Sequence, residues 1–461
     1  MKMKKLNKAI AIALSAVTVF SASSVVPITA NAKATNVVSS SATATSGKCG
    51  KSSKWKFKDG VLTIYGKGTA TKDKIPYEVT DNTKELIIKD GITKIDEFSS
   101  CERLKKVTIG KGITTLPYYM FSSCFYLNQV KLPNTLKKIS ESAFSSCELL
   151  KTVNIPDSVT YIGQETFNFC SNLRSVKLSK NLTYIGSYAF KDCKNLTKIS
   201  IPEKVKNIVG NPFENCRKIT SFTVNKKNRY YTTVNGVLFN KSKKRLIAYT
   251  TGKKNTSYTV PKSVNIIEKN AFMGSGYIKT IKMSNSVQKI KDSAFAECER
   301  LSKINLSQNL NYVGFDILYN TKYFKSYENR QANGLYNGNV LINVANWEAK
   351  NFTVKKGTKI ICSGAFSPAR NLKKVTIPEG VKYINGKAFC GCELLKQVTV
   401  PKSVKVIGNY AFGYYYCFDY DDPNELEYMT KTKNFKMKVY KNSAGCKYAK
   451  KNKFTYQIIK W

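Results

Sequence analysis

The chain has 461 residues, of which 76 are Lys or Arg, 30 are Asp or Glu and none is His, so its formal net charge is +46. The absence of His excludes Ser-His and Cys-His dyads, imidazole metal sites and His-based pH switches. A hydrophobic fraction of 42% is enough to bury a large core and excludes global disorder. Catalysis by carboxylates remains open to such a chain.

The first 32 residues have the three-part pattern of a secretory signal peptide. Four lysines in the first eight residues precede an apolar stretch at 9–20, and residues 30–32 (Ala-Asn-Ala) form a small-x-small cleavage sequence. Cleavage there lowers the net charge from +46 to +42, because four lysines leave with the peptide. No later apolar run reaches the roughly 18 residues that a bilayer needs. We therefore expect a secreted or cell-surface protein with no membrane span and a Ser/Thr/Ala-rich linker at 33–48.

A 23-residue period organises most of the remaining chain. Phe recurs at this spacing in three blocks, and eight of these Phe residues are followed three positions later by Cys. The Phe column contains Phe98, Phe121, Phe144, Phe167, Phe190, Phe213, Phe272, Phe295, Phe366, Phe389 and Phe412. The Cys column contains Cys101, Cys124, Cys147, Cys170, Cys193, Cys216, Cys298 and Cys392. Both columns are predicted to form the structural core of the repeats.

The spacing within one repeat predicts its local structure. Val153 and Ile155 alternate with polar residues, which favours a short strand, and Pro156 ends its pairing because it lacks an N–H. The segment 142–147, which holds Phe144, is predicted to return along the opposite wall as a short helical or 3-10 turn. One such unit cannot cover its own apolar face, whereas stacked units can. We therefore predict a β-rich solenoid of about 11–12 repeats with short returns.

The pattern Leu-x-x-Val-x-Ile-Pro at 150–156, then Val-x-x-Ile-Gly at 159–163, then Ala-Phe-x-x-Cys as at 143–147 resembles the bacterial leucine-rich repeats of the BspA-like type. The resemblance covers roughly residues 49–461. It implies a leucine-rich repeat solenoid that is secreted or displayed at the surface and that binds host molecules, matrix proteins or other cells.

The repeats and the resemblance together predict the domain organisation. We expect an N-terminal β capping region at 49–97, the repeat solenoid at 98–424 and a C-terminal capping unit at 425–461. Two gaps in the period, near 225–257 and 322–351, are interpreted as β-hairpin insertions because each holds an Asn-Gly pair, which favours a tight turn. Such insertions either carry binding or act as spacers that change the curvature of the solenoid.

The Cys column is interpreted as a ladder of small buried thiols, with disulfides between neighbouring repeats as the alternative. Cys390 and Cys392 form a C-x-C pair, but without His or a CxxC motif it does not predict a zinc site. We therefore predict no metal, no cofactor and no catalytic residue.

Lysines occupy outward strand positions and alternate with Thr and Asn, which predicts a basic strip on one face of the sheet. The strip contains Lys106, Lys131, Lys177, Lys198, Lys282, Lys303 and Lys374. Such a strip attracts polyanions, although a solvated face that discourages edge pairing has the same composition. A second candidate surface is the cluster of Tyr414, Tyr415, Tyr416 and Tyr420, which either anchors a ligand or covers the last repeat.

These features predict a non-catalytic, adhesin-like binding protein. A carboxylate pair such as Asp419 and Glu425 can be considered for catalysis, but nothing in the sequence places the two about a substrate. Its partner is expected to be an extracellular protein or glycan. The alternative is a structural protein held by its charge to anionic wall polymers of the cell envelope. No specific nucleic-acid partner is predicted, because no nucleic-acid binding motif occurs, and the protein is expected to be a monomer.

Overall fold

The computed structural model describes residues 45–460 except 327–329, 332, 345, 347, 368 and 419–426. The predicted signal peptide at 1–32 and all of the predicted linker before Thr45 lie outside the described residues. The described residues belong to one compact unit, Thr43–Trp461. This unit is a β-solenoid with 23-residue spacing and little helix, so the predicted leucine-rich repeat fold class is confirmed.

The N-terminal region is an antiparallel meander that leads into the repeats. Its strands are β1 (Thr45–Lys48), β2 (Ser52–Lys58) and β3 (Val61–Ala70), followed by a 3-10 turn (Lys72–Lys74) and helix α1 (Tyr77–Asp81). Strand β3 is long enough to start both sheets of the solenoid, because its first half pairs with β4 (Glu85–Ile88) and its second half pairs with β5 (Ile92–Ile95).

The predicted linker does not extend to residue 48. Residues 45–48 form β1, which pairs with β2 along its whole length. Pairing uses backbone N–H and C=O groups, so a segment without apolar side chains can still join a sheet. Gly47 also lets the Trp55 indole lie against the strand, since a Cβ at this position would lie 2.9 Å from the Trp55 Nε1.

The first sheet runs along one wall of the solenoid. Its parallel strands lie in register, so that Val153 of one repeat lies opposite Val176 of the next. After β4 its repeat strands are β6 (Lys106–Thr108), β8 (Gln129–Lys131), β10 (Thr152–Asn154), β12 (Ser175–Lys177), β14 (Ile199–Ile201), β16 (Phe222–Val224), β20 (Ser257–Thr259), β22 (Thr280–Lys282), β24 (Lys303–Asn305), β29 (Asn351–Thr353), β31 (Lys374–Thr376) and β33 (Gln397–Thr399).

The second sheet consists of shorter strands, each of which holds the Ile of the Val-x-x-Ile-Gly pattern or the aliphatic residue that replaces it. After β5 its strands are β7 (Thr115–Leu116), β9 (Lys138–Ile139), β11 (Tyr161–Ile162), β13 (Tyr184–Ile185), β15 (Asn207–Ile208), β21 (Ile266–Ile267), β23 (Lys289–Ile290), β25 (Tyr312–Val313), β30 (Ile360–Ile361), β32 (Tyr383–Ile384) and β34 (Val406–Ile407).

The return between the two sheets is made of single turns rather than long helices. Cys147 N–H donates to the Phe144 carbonyl, three residues earlier, and Phe144 N–H donates to Thr166 in the next repeat. Ser142 and Ser146, two residues either side of Phe144, have positive φ angles of 54° and 59°. This alternation lets every second amide donate across to the next repeat, so the return wall is hydrogen-bonded as continuously as a sheet.

The Phe and Cys columns stack inside this wall, and every one of the predicted core residues is buried. Phe144 and Phe167 lie 5.3 Å apart between ring centroids with an interplanar angle of 2°. The Cys147 thiol donates to the Phe121 carbonyl at 3.2 Å, and the same contact recurs in Cys124, Cys170, Cys193, Cys216, Cys298 and Cys392. All eight cysteines of the column are free thiols.

Each insertion is an antiparallel meander. The first contains β17 (Tyr231–Val234), β18 (Val237–Asn240) and β19 (Arg245–Ala248). The second follows helix α2 (Lys322–Lys325) and contains β26 (Arg330–Gln331), β27 (Gly334–Asn337) and β28 (Val340–Val344). In both, the last strand joins the second sheet in parallel, since β19 pairs with β21 and β28 pairs with β30.

The first meander separates two hydrophobic clusters. Val237, Phe239 and Leu246 belong to the C-terminal cluster, whereas Leu238 and Ile247 belong to the N-terminal one. Strands β18 and β19 are therefore buried on both faces, and the insertion acts as a partition inside the solenoid.

The C-terminal end closes the stack. A hairpin of β35 (Tyr414–Phe418) and β36 (Glu427–Lys431) is followed by β37 (Lys436–Tyr440), helix α3 (Ala444–Lys451) and β38 (Thr455–Ile459). Strand β37 pairs with β33 and with β38, so β37 and β38 together extend the first sheet by two strands. Ser443 begins α3 by accepting a hydrogen bond from the Cys446 amide.

Candidate binding surfaces

The first sheet presents a face without acidic residues, which we call the lysine face. It comprises the outward positions of the twelve strands from β6 to β33 in the first sheet, and none of these strands contains Asp or Glu. The period-2 alternation turns the apolar residues of each strand inward and leaves Lys, Thr, Ser, Asn or Gln outside. The apolar residue is the central one in ten strands, whereas β14 and β16 have apolar residues at both ends and a polar residue at the centre. The face is therefore polar along its whole length and positive wherever it is charged.

All seven predicted lysines are exposed; six lie within strands of this face, and Lys198 directly precedes β14. Within the described part of the chain, Lys106 alone among them forms an ion pair, with Glu85 at 3.0 Å, because β4 lies directly beside β6. Exposed Lys or Arg residues directly before several strands add further positive charge beyond the predicted strip. These additional residues are Lys105, Lys151, Arg174, Lys279, Lys373 and Lys396.

The predicted tyrosine surface is partly wrong. Tyr414 is buried, with 7% of its surface exposed, and its hydroxyl donates to Asn452 Oδ1 at 2.9 Å. It packs against the Phe454 ring because the C-terminal unit needs an aromatic side chain to cover the last repeat. Tyr415 and Tyr416 are half-buried, and Lys387 Nζ lies 4.9 Å from the centre of the Tyr416 ring.

The other residues predicted near the tyrosine cluster, Tyr420, Asp419 and Glu425, lie outside the described residues.

The column cysteines are packing residues. Burial raises the pKa of the Cys147, Cys170 and Cys193 thiols, so these groups are protonated. No cluster of Cys, Asp and Glu suited to a metal ion occurs among the residues that the structure describes. Across the same residues, no helix has the length and apolarity needed to cross a membrane.

The second sheet is interrupted between β15 and β19, and this interruption forms a notch. Strand β15 pairs with β13 on one side only. In place of the next strand, the Tyr231 hydroxyl accepts from the Ile208 amide at 2.8 Å and donates to the Lys206 carbonyl at 3.2 Å. Two adjoining cavities of about 510 and 430 Å³ lie along this edge.

Charged groups converge on the notch. The Glu268 carboxylate, 5% exposed, lines both cavities and accepts from Arg245 Nε at 2.6 Å and from Lys291 Nζ at 2.7 Å. The sequence gives no indication of this notch. Its residues lie in different repeats, and the notch exists because a strand is absent, which leaves no motif in the sequence.

A family model described as the BspA type leucine-rich repeat region matches residues 74–197, 139–251, 248–333 and 344–455. These matches span most of the chain, so the chain belongs to the BspA type leucine-rich repeat family, as its repeat pattern indicated. Leucine-rich repeat proteins of this kind are typically binding or structural proteins rather than enzymes.

Solved structures share the fold. The chain is similar to a leucine rich cell surface protein from Faecalibacterium prausnitzii, with 24% identity and a TM-score of 0.51 over 77% of this chain and 94% of that one. It is also similar to the pneumococcal vaccine antigen PcpA, with 18% identity and a TM-score of 0.50 over 90% of this chain and 99% of that one. At these identities the likeness concerns the fold alone. The comparison with curated proteins gave no match.

Proposed function

We propose that the protein is an exported, non-catalytic surface protein whose lysine face binds extracellular polyanionic ligands, either glycans or acidic proteins of a host or neighbouring cell. The observation that carries this proposal is the absence of Asp and Glu from twelve consecutive strands of the first sheet in a chain that contains 30 acidic residues. Acidic residues elsewhere, such as Glu214 and Glu268, are paired with lysine or arginine on other walls.

The geometry of the face supports a long ligand rather than a small molecule. Neighbouring strands of a sheet lie about 4.8 Å apart, so cationic side chains recur along the solenoid at a spacing that a linear polymer can follow. The hydroxyl and amide groups of Thr108, Asn154 and Thr376 lie between the lysines and offer hydrogen bonds to the same ligand. A face that carries positive and no negative side chains also raises the rate at which a polyanion associates with it.

A salt-titrated binding measurement tests the proposal. We expect a sulfated glycan such as heparin to bind the full chain, and the triple variant Lys131→Ser, Lys177→Ser, Lys282→Ser to bind at least about tenfold more weakly at low salt. The slope of log affinity against log salt should fall by roughly two to three, because three counterion-releasing contacts are removed.

The matched control removes the same charge from the other wall. Lys137, Lys359 and Lys405 are exposed and precede strands of the second sheet, so their triple replacement by Ser should leave the salt slope almost unchanged. Equal losses in both triple variants would show that net charge alone drives binding, and the lysine face would then have no special role.

The same measurement addresses attachment to the producing cell. The lysine face is open and has no groove that would select one polymer, and this favours electrostatic attachment to the cell wall. Purified teichoic acid is the ligand that tests this role. Binding to teichoic acid that disappears between low and near-physiological salt supports wall attachment. Saturable binding to a host glycan or protein that persists at about 0.15 M salt supports the adhesin-like role.

A further inference from the structure

The notch beside β15 is a second candidate site on a different wall from the lysine face. It arises because the chain leaves the second sheet after β15 and returns to it only at β19, so the edge of β15 faces the larger cavity. The Gly210 amide lies at this edge and has no acceptor among the described residues. The notch is thus an open, polar recess in the wall that the second sheet forms.

The buried Glu268 carboxylate fixes the positions of two cationic groups of the notch, those of Arg245 and Lys291. Glu268 is buried and binds Arg245 through Nε alone, which leaves the two terminal nitrogen groups of the guanidinium for a further acceptor. A planar guanidinium that is fixed in this way is suited to a carboxylate, which it can bind through two parallel hydrogen bonds. Lys206, Lys269 and Lys289 line the cavities as exposed residues, so the lining has an excess of positive charge.

Aromatic rings accompany these charges. Tyr230 lines the larger cavity with 49% of its surface exposed, and Tyr184 lines the same cavity from β13. Tyr184 stacks on Tyr161 with ring centroids 4.5 Å apart, and Lys138 Nζ lies 4.7 Å from the Tyr161 ring centre. The aromatic surface therefore continues from the notch along the second sheet for a further two strands.

From these observations we propose that the notch binds a short segment of an acidic polysaccharide whose sugars carry carboxylates. Flat tyrosine rings offer apolar surface to the C–H faces of sugars, and their hydroxyl groups accept or donate hydrogen bonds at the rim. Arg245 binds the carboxylate of one sugar, and Lys289, in the adjoining cavity, binds that of a neighbouring sugar. Together the two cavities have room for two to three sugar units, on the order of the volume of ordinary ligand pockets.

An extended acidic peptide fits this notch less well. A peptide would bind by adding a strand to the edge of β15, and such pairing needs a row of free backbone groups. The Tyr231 hydroxyl already occupies the Ile208 amide and the Lys206 carbonyl, so the row is blocked at its centre.

Isothermal titration calorimetry with the full chain at about 0.15 M salt tests the proposal. We expect tetragalacturonate to bind saturably and the neutral tetragalactose of the same linkage to bind at least about tenfold more weakly. Arg245→Gln should weaken tetragalacturonate binding about tenfold, and Tyr230→Ala should weaken it severalfold, whereas Tyr230→Phe, which retains the ring, should not.

A matched pair of lysines separates this site from the lysine face. Lys289 in β23 lies at the notch, and Lys303 in β24, the next strand along the chain, lies on the lysine face. Lys289→Gln should weaken tetragalacturonate binding at least about threefold, while Lys303→Gln leaves it unchanged. Neither of the notch variants Lys289→Gln and Arg245→Gln should alter the slope of log heparin affinity against log salt.

Three results would overturn the assignment: no saturable binding of tetragalacturonate, equal weakening by Lys303→Gln, or tighter binding of a hexaglutamate peptide than of the saccharide. Thermal unfolding of each variant accompanies the titrations, and Tyr230→Ala keeps the test valid if Arg245→Gln fails to fold, since Tyr230 is exposed. Because the notch and the lysine face are separate, failure here leaves the proposed function standing.

Discussion

Tyr249 occupies a Phe position of the repeat although it lies in the first insertion. It precedes Phe272 by one 23-residue period, stacks on that ring at 5.0 Å between centroids, and donates its amide to the Ala271 carbonyl. Its ring is buried, but its hydroxyl has no hydrogen-bond partner among the described residues. Burial raises the pKa of this hydroxyl to about 12. A buried, unpaired hydroxyl destabilises the folded state.

We therefore expect Tyr249→Phe to stabilise the protein by about 1 kcal/mol, since it removes the unpaired hydroxyl and retains the stacked ring. Urea unfolding followed by far-UV circular dichroism measures the change. The reverse substitution at a regular position, Phe144→Tyr, should destabilise the protein because it buries a new hydroxyl in a filled column. A destabilising Tyr249→Phe would mean that a buried water or another group satisfies this hydroxyl.

At the scale of one element, the Tyr231 hydroxyl is hydrogen-bonded, unlike that of Tyr249, and it stabilises the edge of a strand. Strand β15 lacks a following strand, and the Tyr231 hydroxyl pairs with the two backbone groups that this strand would have bound. The hydroxyl lies in a largely buried setting, with Tyr231 8% exposed, so it replaces a backbone partner at the end of a sheet.

Tyr231→Phe is expected to destabilise the protein by about 1–2 kcal/mol, because it leaves the Ile208 amide and the Lys206 carbonyl without a partner. Hydrogen exchange should then accelerate at residues 206–209 while residues 184–186 in β13 keep their protection. The comparison with Tyr249→Phe controls for the chemical change, since both variants lose one tyrosine hydroxyl. Unchanged exchange at Ile208 would contradict the assigned role of Tyr231.

The elements that follow the period could be predicted from the sequence, because each is specified within its own repeat. Val153 and Ile155 predict a strand through alternation alone, and Phe144 predicts the buried return. Tyr249 escaped prediction because Tyr stands where the pattern has Phe and Gly252 stands where it has Cys, although Ala248 precedes it as in the other repeats. The notch escaped prediction because it depends on which strands pair across the first insertion, and pairing between distant segments leaves no local pattern.

At the scale of the whole solenoid, the first insertion divides the core. The N-terminal cluster extends from Cys49 to Ala248 and the C-terminal cluster from Val237 to Phe454, with the two faces of β18 and β19 as their shared wall. In a stack of repeats each unit contacts its neighbours, so stability is a sum of local terms and the two clusters need not unfold together.

A pair of equivalent core substitutions tests this division. Phe144 and Phe389 are both buried Phe-column residues, one in each cluster, and each substitution by Ala should cost about 3–5 kcal/mol locally. Phe144→Ala should accelerate hydrogen exchange in residues 105–210 and leave residues 360–410 protected, whereas Phe389→Ala should do the reverse. If either variant accelerated exchange equally on both sides, β18 and β19 would transmit unfolding, and the solenoid would be one cooperative unit rather than two joined at a common wall.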